Sequence, residues 1–131
     1  MGVGDYFQRL EYEFNTITTL IKQNKYSTLK NFINKYNIKL KDYYQFLDTF
    51  DFLIYAIYQK ASIDIIDYII NNLNLYTLNY VHVGTTFNTT PLSCVIETKN
   101  SELIRYFLKK IECDINYNNE HTFNMLNYLY N

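Results

Sequence analysis

The sequence predicts an all-α fold, in which degenerate helix-turn-helix repeats stack into a solenoid. Two observations lead to this prediction. An apolar pattern recurs about every three dozen residues, and a second apolar segment precedes each copy of it. The composition agrees with a folded domain, because 48% of the 131 residues are hydrophobic and only 3 are Gly and 1 is Pro.

The N-terminal stretch is predicted to form two helices that cap the array. Residues 7–23 place apolar side chains on one helical face, and residues 27–36 are the predicted partner helix. The apolar side chains of the first helix are Leu10, Phe14, Ile17, Leu20 and Ile21.

The clearest repeat joins residues 103–108 to residues 65–70, which lie 38 positions earlier. Both segments follow the pattern apolar, apolar, charged, Tyr, apolar, apolar. Phe32 and Ile33 stand 37 positions before the last two residues of the 65–70 segment, with Leu29 in phase. Apolar residues at this spacing form one side of a helix, so each segment is predicted to be a short helix.

Polar residues mark where these helices begin. Ser27, Ser62 and Ser101 each stand two or three residues before an apolar stripe, where a Ser side chain can accept a bond from a first-turn amide. The preceding helix of the best-marked unit starts at Thr90, which can cap it, with Pro91 at the first helical position.

The same kind of first helix is predicted at two other places in the chain. Its counterparts start at Asp51, 39 residues before Thr90, and at Asn124, 34 residues after it. Polar connections such as residues 80–89 and 117–121 separate the helix pairs. The repeating unit is therefore helix, turn, helix and projecting loop.

This unit resembles the ankyrin repeat. The run Thr90-Pro91-Leu92 matches the Thr-Pro-Leu opening of that family, although Ser93 and Val95 replace its usual His and Ala. Residues 100–104 look like the turn and the start of the second helix, and residues 113–116 (Cys-Asp-Ile-Asn) match the closing Ala-Asp-Val-Asn. Only residues 90–116 match well, because the flanking repeats depart from the family pattern.

The resemblance implies one array over residues 1–131. It divides into capping helices in 1–43, a degenerate repeat in 44–80, the best-matching repeat in 81–118, and the start of a further repeat or a C-terminal cap in 119–131. Stacked neighbours then bury each other's stripes. The expected core residues are Leu53, Ala56, Ile57, Ile65, Ile66, Ile69, Ile70, Leu92, Val95, Ile96, Leu103, Ile104, Phe107 and Leu108.

The sequence predicts neither an enzyme nor a cofactor or metal site. His82 and His121 fall in loops, and the three Gly residues form no phosphate-binding loop. Cys94 falls on an apolar helix face and is expected to pack as a small hydrophobic residue. Cys113 stands between Glu112 and Asp114, which disfavour a reactive thiolate.

Nucleic acid and membrane are not expected as partners. The 12 basic residues are offset by 13 acidic ones, which leaves a net charge of -1, and the apolar runs are far shorter than a membrane span of about 20 residues. Two Cys residues that form neither a disulfide framework nor a metal-binding spacing fit a reducing compartment such as the cytosol. The lysine-rich stretch 22–41 is expected to be a solvated face.

In the ankyrin family the loop tips and the exposed side of each first helix form a concave binding face. The resemblance places there Leu47, Asp48, Phe50, Tyr58, Gln59, Thr86, Phe87, Thr89, Glu97, Thr98, Glu120, His121 and Phe123. Large aromatic rings anchor protein interfaces, although Phe50 and Phe123 can instead fold back onto their own helices as core. The loop 80–89 is the best candidate for partner-specific contact, because loops on a rigid scaffold carry function.

Degenerate ankyrin repeats rich in Tyr, Asn and Ile look most like those of poxviruses, where they act as host-range and immune-modulating factors. The resemblance implies a non-catalytic module that binds a host protein in the host cytoplasm. A ubiquitin-ligase component is an implied partner if the chain belongs to a longer array. The sequence leaves two alternatives: a viral Bcl-2-like bundle that binds a death-regulating helix, and a small enzyme or nucleic-acid factor that uses the N-terminal lysines.

Overall fold

The computed structural model describes residues 3–75, 77–84 and 86–110 of the chain. Most of these residues are helical, so the predicted all-α class is confirmed at that level. The helices are α1 (Val3–Lys22), α2 (Tyr26–Lys35), a 3₁₀ helix (Leu40–Gln45), α3 (Phe52–Tyr58), α4 (Ile63–Leu73), α5 (Pro91–Glu97) and α6 (Ser101–Lys109). Two short strands, β1 (His82–Val83) and β2 (Asn88–Thr89), lie between α4 and α5.

The helices pack as consecutive pairs. Helix α1 contacts α2, α3 contacts α4, and α5 contacts α6. Neighbouring pairs also meet, because α3 contacts α5 and α2 contacts α4. The Tyr55 hydroxyl donates to the Thr18 carbonyl oxygen at 3.2 Å and adds a polar contact between α3 and α1.

The helix starts follow the capping residues, with two corrections. Asp51, Ser62 and Thr90 accept bonds from the backbone N–H three residues later, at the starts of α3, α4 and α5. The capping roles expected of Ser27 and Ser101 are wrong. Both residues lie within helices. Helix α6 is capped by Asn100 instead, because Asn100 Oδ1 accepts the backbone N–H groups of Glu102 and Leu103.

The turns inside the three helix pairs share one backbone conformation. Asn24, Lys60 and Lys99 all adopt the left-handed region with φ of 58°. They stand 36 and 39 residues apart, close to the spacing of the apolar repeat. A left-handed residue ends a helix by turning its last amides back onto free carbonyl groups, so the chain reverses at the same point in each pair.

One hydrophobic cluster runs through all of the helix pairs. Every residue of the expected core is buried except Leu108, which is half-buried because it lies at the edge of the α6 stripe. The first helix also differs from the expected 7–23, since α1 starts at Val3. Its N-terminal half lies beside the segment that follows the 3₁₀ helix, where the Phe7 ring contacts that of Phe46. Further along α1, the Phe14 ring contacts those of Tyr43 in the 3₁₀ helix and Phe52 in α3.

None of the helices in the described part of the chain is both long enough and apolar enough to cross a membrane.

Candidate functional site

The loop predicted over residues 80–89 contains a β-hairpin. Strands β1 and β2 pair antiparallel, with His82 opposite Thr89 and Val83 opposite Asn88. The Gly84 N–H donates to the Phe87 carbonyl oxygen at 3.1 Å and closes the turn. A Cβ atom at Gly84 would lie 2.7 Å from that same oxygen, so the close approach requires glycine.

This hairpin exposes apolar side chains to solvent. Phe87 is 61% exposed and Val83 is 63% exposed, and Val81 and Thr86 are exposed as well. Neighbouring exposed apolar side chains on a folded domain are typical of interaction surfaces. The structure therefore places Phe87 and Thr86, two of the predicted site residues, where a partner can reach them.

Cys94 attaches the base of the hairpin to the helices. Its Sγ atom in α5 lies 3.3 Å from Thr89 Oγ1 in β2 and donates to the Tyr58 hydroxyl in α3 at 3.4 Å. These contacts bring together three predicted positions, since Thr89, Tyr58 and the exposed Glu97 of α5 surround the same thiol. The hairpin consequently has a fixed attachment to α3 and α5.

The electrostatics of this group keep its protons bound. The hydrogen bond with Cys94, partial burial and the charge of Glu97 raise the pKa of the Tyr58 hydroxyl above its usual value. Burial is the main cause that raises the pKa of the Cys94 thiol. Cys94 is fully buried, as expected of a small hydrophobic residue, and its protonated thiol is a poor nucleophile.

A second attachment fixes the segment that leads into the hairpin. The Tyr80 hydroxyl donates to Asp51 Oδ2 at 2.9 Å, while Asp51 Oδ1 accepts the Ile54 N–H at 2.8 Å and caps α3. Burial and the Asp51 charge raise the pKa of Tyr80. Tyr80 therefore acts as part of the scaffold beneath the exposed tip.

Two further predicted residues lie at helix ends. Gln59 is the C-terminal capping residue of α3 and is half-buried. Thr98 follows α5, and its hydroxyl donates to the Val95 carbonyl oxygen at 2.6 Å. The Thr98 hydroxyl is therefore used within the chain, whereas the exposed Glu97 carboxylate is more accessible to a partner.

The predicted residues near position 50 divide between core and surface. The Phe50 ring lies 4.9 Å from those of Phe14 and Phe52, so it packs on the core, as the alternative for this residue anticipated. Leu47 is half-buried, and Asp48 is exposed. Leu47 lies in a groove next to α1, away from the contacts that surround Cys94.

Sequence reasoning missed an exposed aromatic cluster beside that groove. The rings of Tyr6, Phe7 and Phe46 contact one another edge to face, with centroids 5.6 to 6.5 Å apart. The signal was present at the N terminus, where two aromatic residues precede the α1 core stripe that begins at Leu10. Phe46 could not be placed from its sequence, because its exposure depends on how the segment after the 3₁₀ helix lies against α1.

Several predicted positions lie outside the described residues, namely Glu120, His121, Phe123, Cys113 and the helix start at Asn124. Among the residues that are described, no group of three or more His, Cys, Asp or Glu side chains is placed to hold a metal ion.

No protein-family model matches the chain, and no curated protein or solved structure matches it with statistical significance. The likeness of residues 90–116 to an ankyrin repeat accordingly rests on their sequence.

Proposed function

We propose that this chain is a non-catalytic interaction module of the ankyrin type, which binds a host protein through its concave face and loop tips. The observation that carries the proposal is the hairpin 82–89, which exposes Phe87 and Val83 while Cys94 and Tyr80 fix its base. A rigid scaffold that presents exposed apolar side chains loses little conformational entropy when they are covered by a partner.

The repeated hydrogen bonds of two tyrosines support an array of equivalent units. Tyr68 and Tyr106 occupy the same position of the sequence repeat, 38 residues apart. The Tyr68 hydroxyl donates to Asn34 Oδ1 in α2 at 3.3 Å, and the Tyr106 hydroxyl donates to Asp67 Oδ1 in α4. Each second helix thus reaches back to the second helix before it, as neighbouring units of a stacked repeat do.

The degenerate Tyr-, Asn- and Ile-rich character of the repeats supports a viral host-range or immune-evasion role in the host cytoplasm. If the chain belongs to a longer array, a ubiquitin-ligase component becomes a second partner.

Helix α1 argues against the alternative of a Bcl-2-like bundle. Such a bundle needs a long apolar helix at its centre. Helix α1 is the longest in the described part of the chain, yet Tyr6, Phe7 and Tyr12 on it are exposed. Helix α1 contacts α2, the 3₁₀ helix and α3, but within the described part of the chain these neighbours leave one side of it open to solvent.

The test is a double variant at the tip and the neighbouring helix, Phe87→Ala with Glu97→Lys. We expect it to lose partner capture from host-cell lysate while its melting temperature stays within about 2 °C of the parent, because both side chains are exposed. Tyr36→Ala, which removes an exposed ring from the other end of the helix array, is the control and should capture the partner normally. A double variant that unfolds, or that captures the same partner, would contradict the proposal.

A further inference from the structure

A groove lies between the N-terminal half of α1 and the segment that follows the 3₁₀ helix. We call it the Phe7–Phe46 groove; its volume is about 280 Å³, and its lining includes Phe7, Leu10, Glu11, Phe14, Phe46 and Leu47. Five of these six side chains are apolar. The groove is open to solvent.

The rim of this groove exposes aromatic surface. Phe7 is 48% exposed and Phe46 is 45% exposed, although their rings lie only 5.6 Å apart, edge to face. Tyr6 extends the cluster, because its ring contacts those of both Phe7 and Phe46. Large aromatic rings at the edge of an apolar groove are the side chains that dominate the energetics of protein interfaces.

The two segments that form the groove carry mostly negative charge. Residues 7–14 and 42–51, which include the lining residues, contain five carboxylates and one basic residue, Arg9. Two of the five are used inside the fold, because Glu13 accepts the Tyr43 hydroxyl and Asp51 caps α3. Glu11 lines the groove, and Asp48 directly follows the groove residue Leu47.

The charges of Glu11 and Asp48 have no ion-pair partner within the described residues. Both side chains are exposed, and the salt bridge formed in that part of the chain joins Lys110 to Asp67 instead. Arg9, the basic residue nearest in sequence to Glu11, lies over the Tyr6 ring at 5.5 Å from its centroid. The groove therefore combines an apolar lining with segments whose net charge is negative.

We propose that the Phe7–Phe46 groove binds a basic amphipathic helix of a partner protein. Apolar side chains of that helix enter between Phe7 and Phe46, and its Lys or Arg residues face Glu11 and Asp48. This inference rests on the proposed binding function and deepens it, because it names the partner chemistry at the Leu47–Asp48 edge of the predicted surface. A helix in an apolar groove is a recurrent mode of peptide recognition, and opposite charges at the rim set its specificity.

A second copy of this chain is the competing occupant. Residues 22–41 contain six Lys and no carboxylate, and all six side chains are exposed. They offer positive charge, but on α2 the apolar side chains Leu29 and Ile33 are buried within the fold. That helix has no free apolar stripe to place in the groove, so the charge pattern favours a separate amphipathic helix.

The test uses two fluorescent synthetic helices with the same Leu stripe, one with Lys and one with Glu on the polar face. Anisotropy titrations of the full chain should show the Lys peptide binding at least about tenfold more tightly than the Glu peptide. Phe46→Ala should lower the affinity of the chain for the Lys peptide by about tenfold or more. The double variant Glu11→Gln with Asp48→Asn should lower the affinity for the Lys peptide and make that affinity less dependent on salt. The control Tyr36→Ala should leave the affinity for the Lys peptide unchanged.

Equal affinity for both peptides, no binding of either, or full binding by a folded Phe46→Ala variant would overturn the groove assignment. Sedimentation could instead show a concentration-dependent dimer that the Phe46→Ala variant does not form. That result would assign the groove to a second copy of the chain and overturn its assignment to a partner helix. The Phe87→Ala and Glu97→Lys variant separates the two proposals. If its partner capture is lost as expected while peptide binding fails in the parent, only the groove assignment is wrong.

Discussion

The Tyr106 hydroxyl donates a hydrogen bond to the Asp67 carboxylate, and the pair joins α6 to α4 across neighbouring helix pairs. The Lys110 ammonium lies 3.2 Å from the same carboxylate oxygen. The Tyr106 hydrogen bond is the largest cause that lowers the pKa of Asp67 below its usual value, with further lowering from Lys110 and Asn71 against an opposing effect of burial.

This pair predicts a stability loss in acid. Because the folded pKa of Asp67 lies below the unfolded value of 3.8, the stabilisation is present above pH 3.8 and is lost as the pH falls through the folded pKa. Urea unfolding at pH 7 and pH 3 should show a smaller acid loss for Asp67→Asn than for the parent. If both proteins lose the same free energy of unfolding between pH 7 and pH 3, Asp67 is not a cause of the acid sensitivity.

The left-handed turn at Lys60 predicts a stabilising substitution. Lys60→Gly removes the side-chain clash of a φ of 58°, which costs an L residue about 1–2 kcal/mol. The greater freedom of Gly in the unfolded chain offsets about 0.4–1 kcal/mol of this gain. We expect a net increase of about 0.5 kcal/mol in the free energy of unfolding, measured in urea.

Lys30→Gly is the matched control for that turn, because Lys30 is also an exposed lysine but lies inside α2. It should destabilise the chain by about 1 kcal/mol through the loss of helix propensity. If both substitutions change the free energy of unfolding in the same direction, the left-handed conformation at Lys60 does not decide the outcome.

The close approach at Gly84 predicts local damage to the hairpin. In Gly84→Ala the new Cβ would lie 2.7 Å from the Phe87 carbonyl oxygen, so the turn must open and its hydrogen bond weakens. We expect faster hydrogen exchange of the residue 84 amide and a destabilisation of about 1–3 kcal/mol.

Gly4→Ala is the control for the hairpin substitution, because nothing lies within 4 Å of a Cβ at Gly4 in α1. It should leave hairpin exchange unchanged and stabilise the chain by up to about 1 kcal/mol through helix propensity. An unchanged exchange rate in Gly84→Ala would be inconsistent with the steric argument.

The shared carboxylate of Asp51 predicts coupling between the hairpin and α3. Tyr80→Phe removes the donor to Asp51 Oδ2 and should cost about 1 kcal/mol, and Asp51→Ala should cost more because it also removes the α3 cap. In a double-mutant cycle the combined loss should be smaller than the sum of the single losses. Additive losses would mean that the two side chains act independently.

Much of the helical scaffold was predictable because it depends on local chemistry. Thr90, Pro91 and Asp51 identify helix starts by residue type, and the buried stripes follow the apolar spacing. The strands of the hairpin were not predictable, since two-residue strands leave no alternating pattern. The cap at Asn100 was missed because Ser101 is also a capping residue, and only the backbone conformation decides between them.

The candidate surfaces were predictable to a smaller extent. Phe87 stands in a long polar connection, so its exposure follows from the sequence. Phe46 and Phe50 are the same residue type and stand four positions apart. The Phe50 ring nevertheless packs against Phe14, whereas the Phe46 ring stays exposed beside Phe7. That difference comes from the path of the chain after the 3₁₀ helix, which no local pattern encodes.

Helices α3 and α5 contain only 7 residues each. An isolated helix in water needs about 12–15 residues before it becomes even marginally stable. Neither segment can therefore hold its conformation as a free peptide, and each depends on the helices packed around it. Excision of one helix pair should unravel the short helix left beside the gap, so the described part of the chain is expected to melt as one cooperative unit.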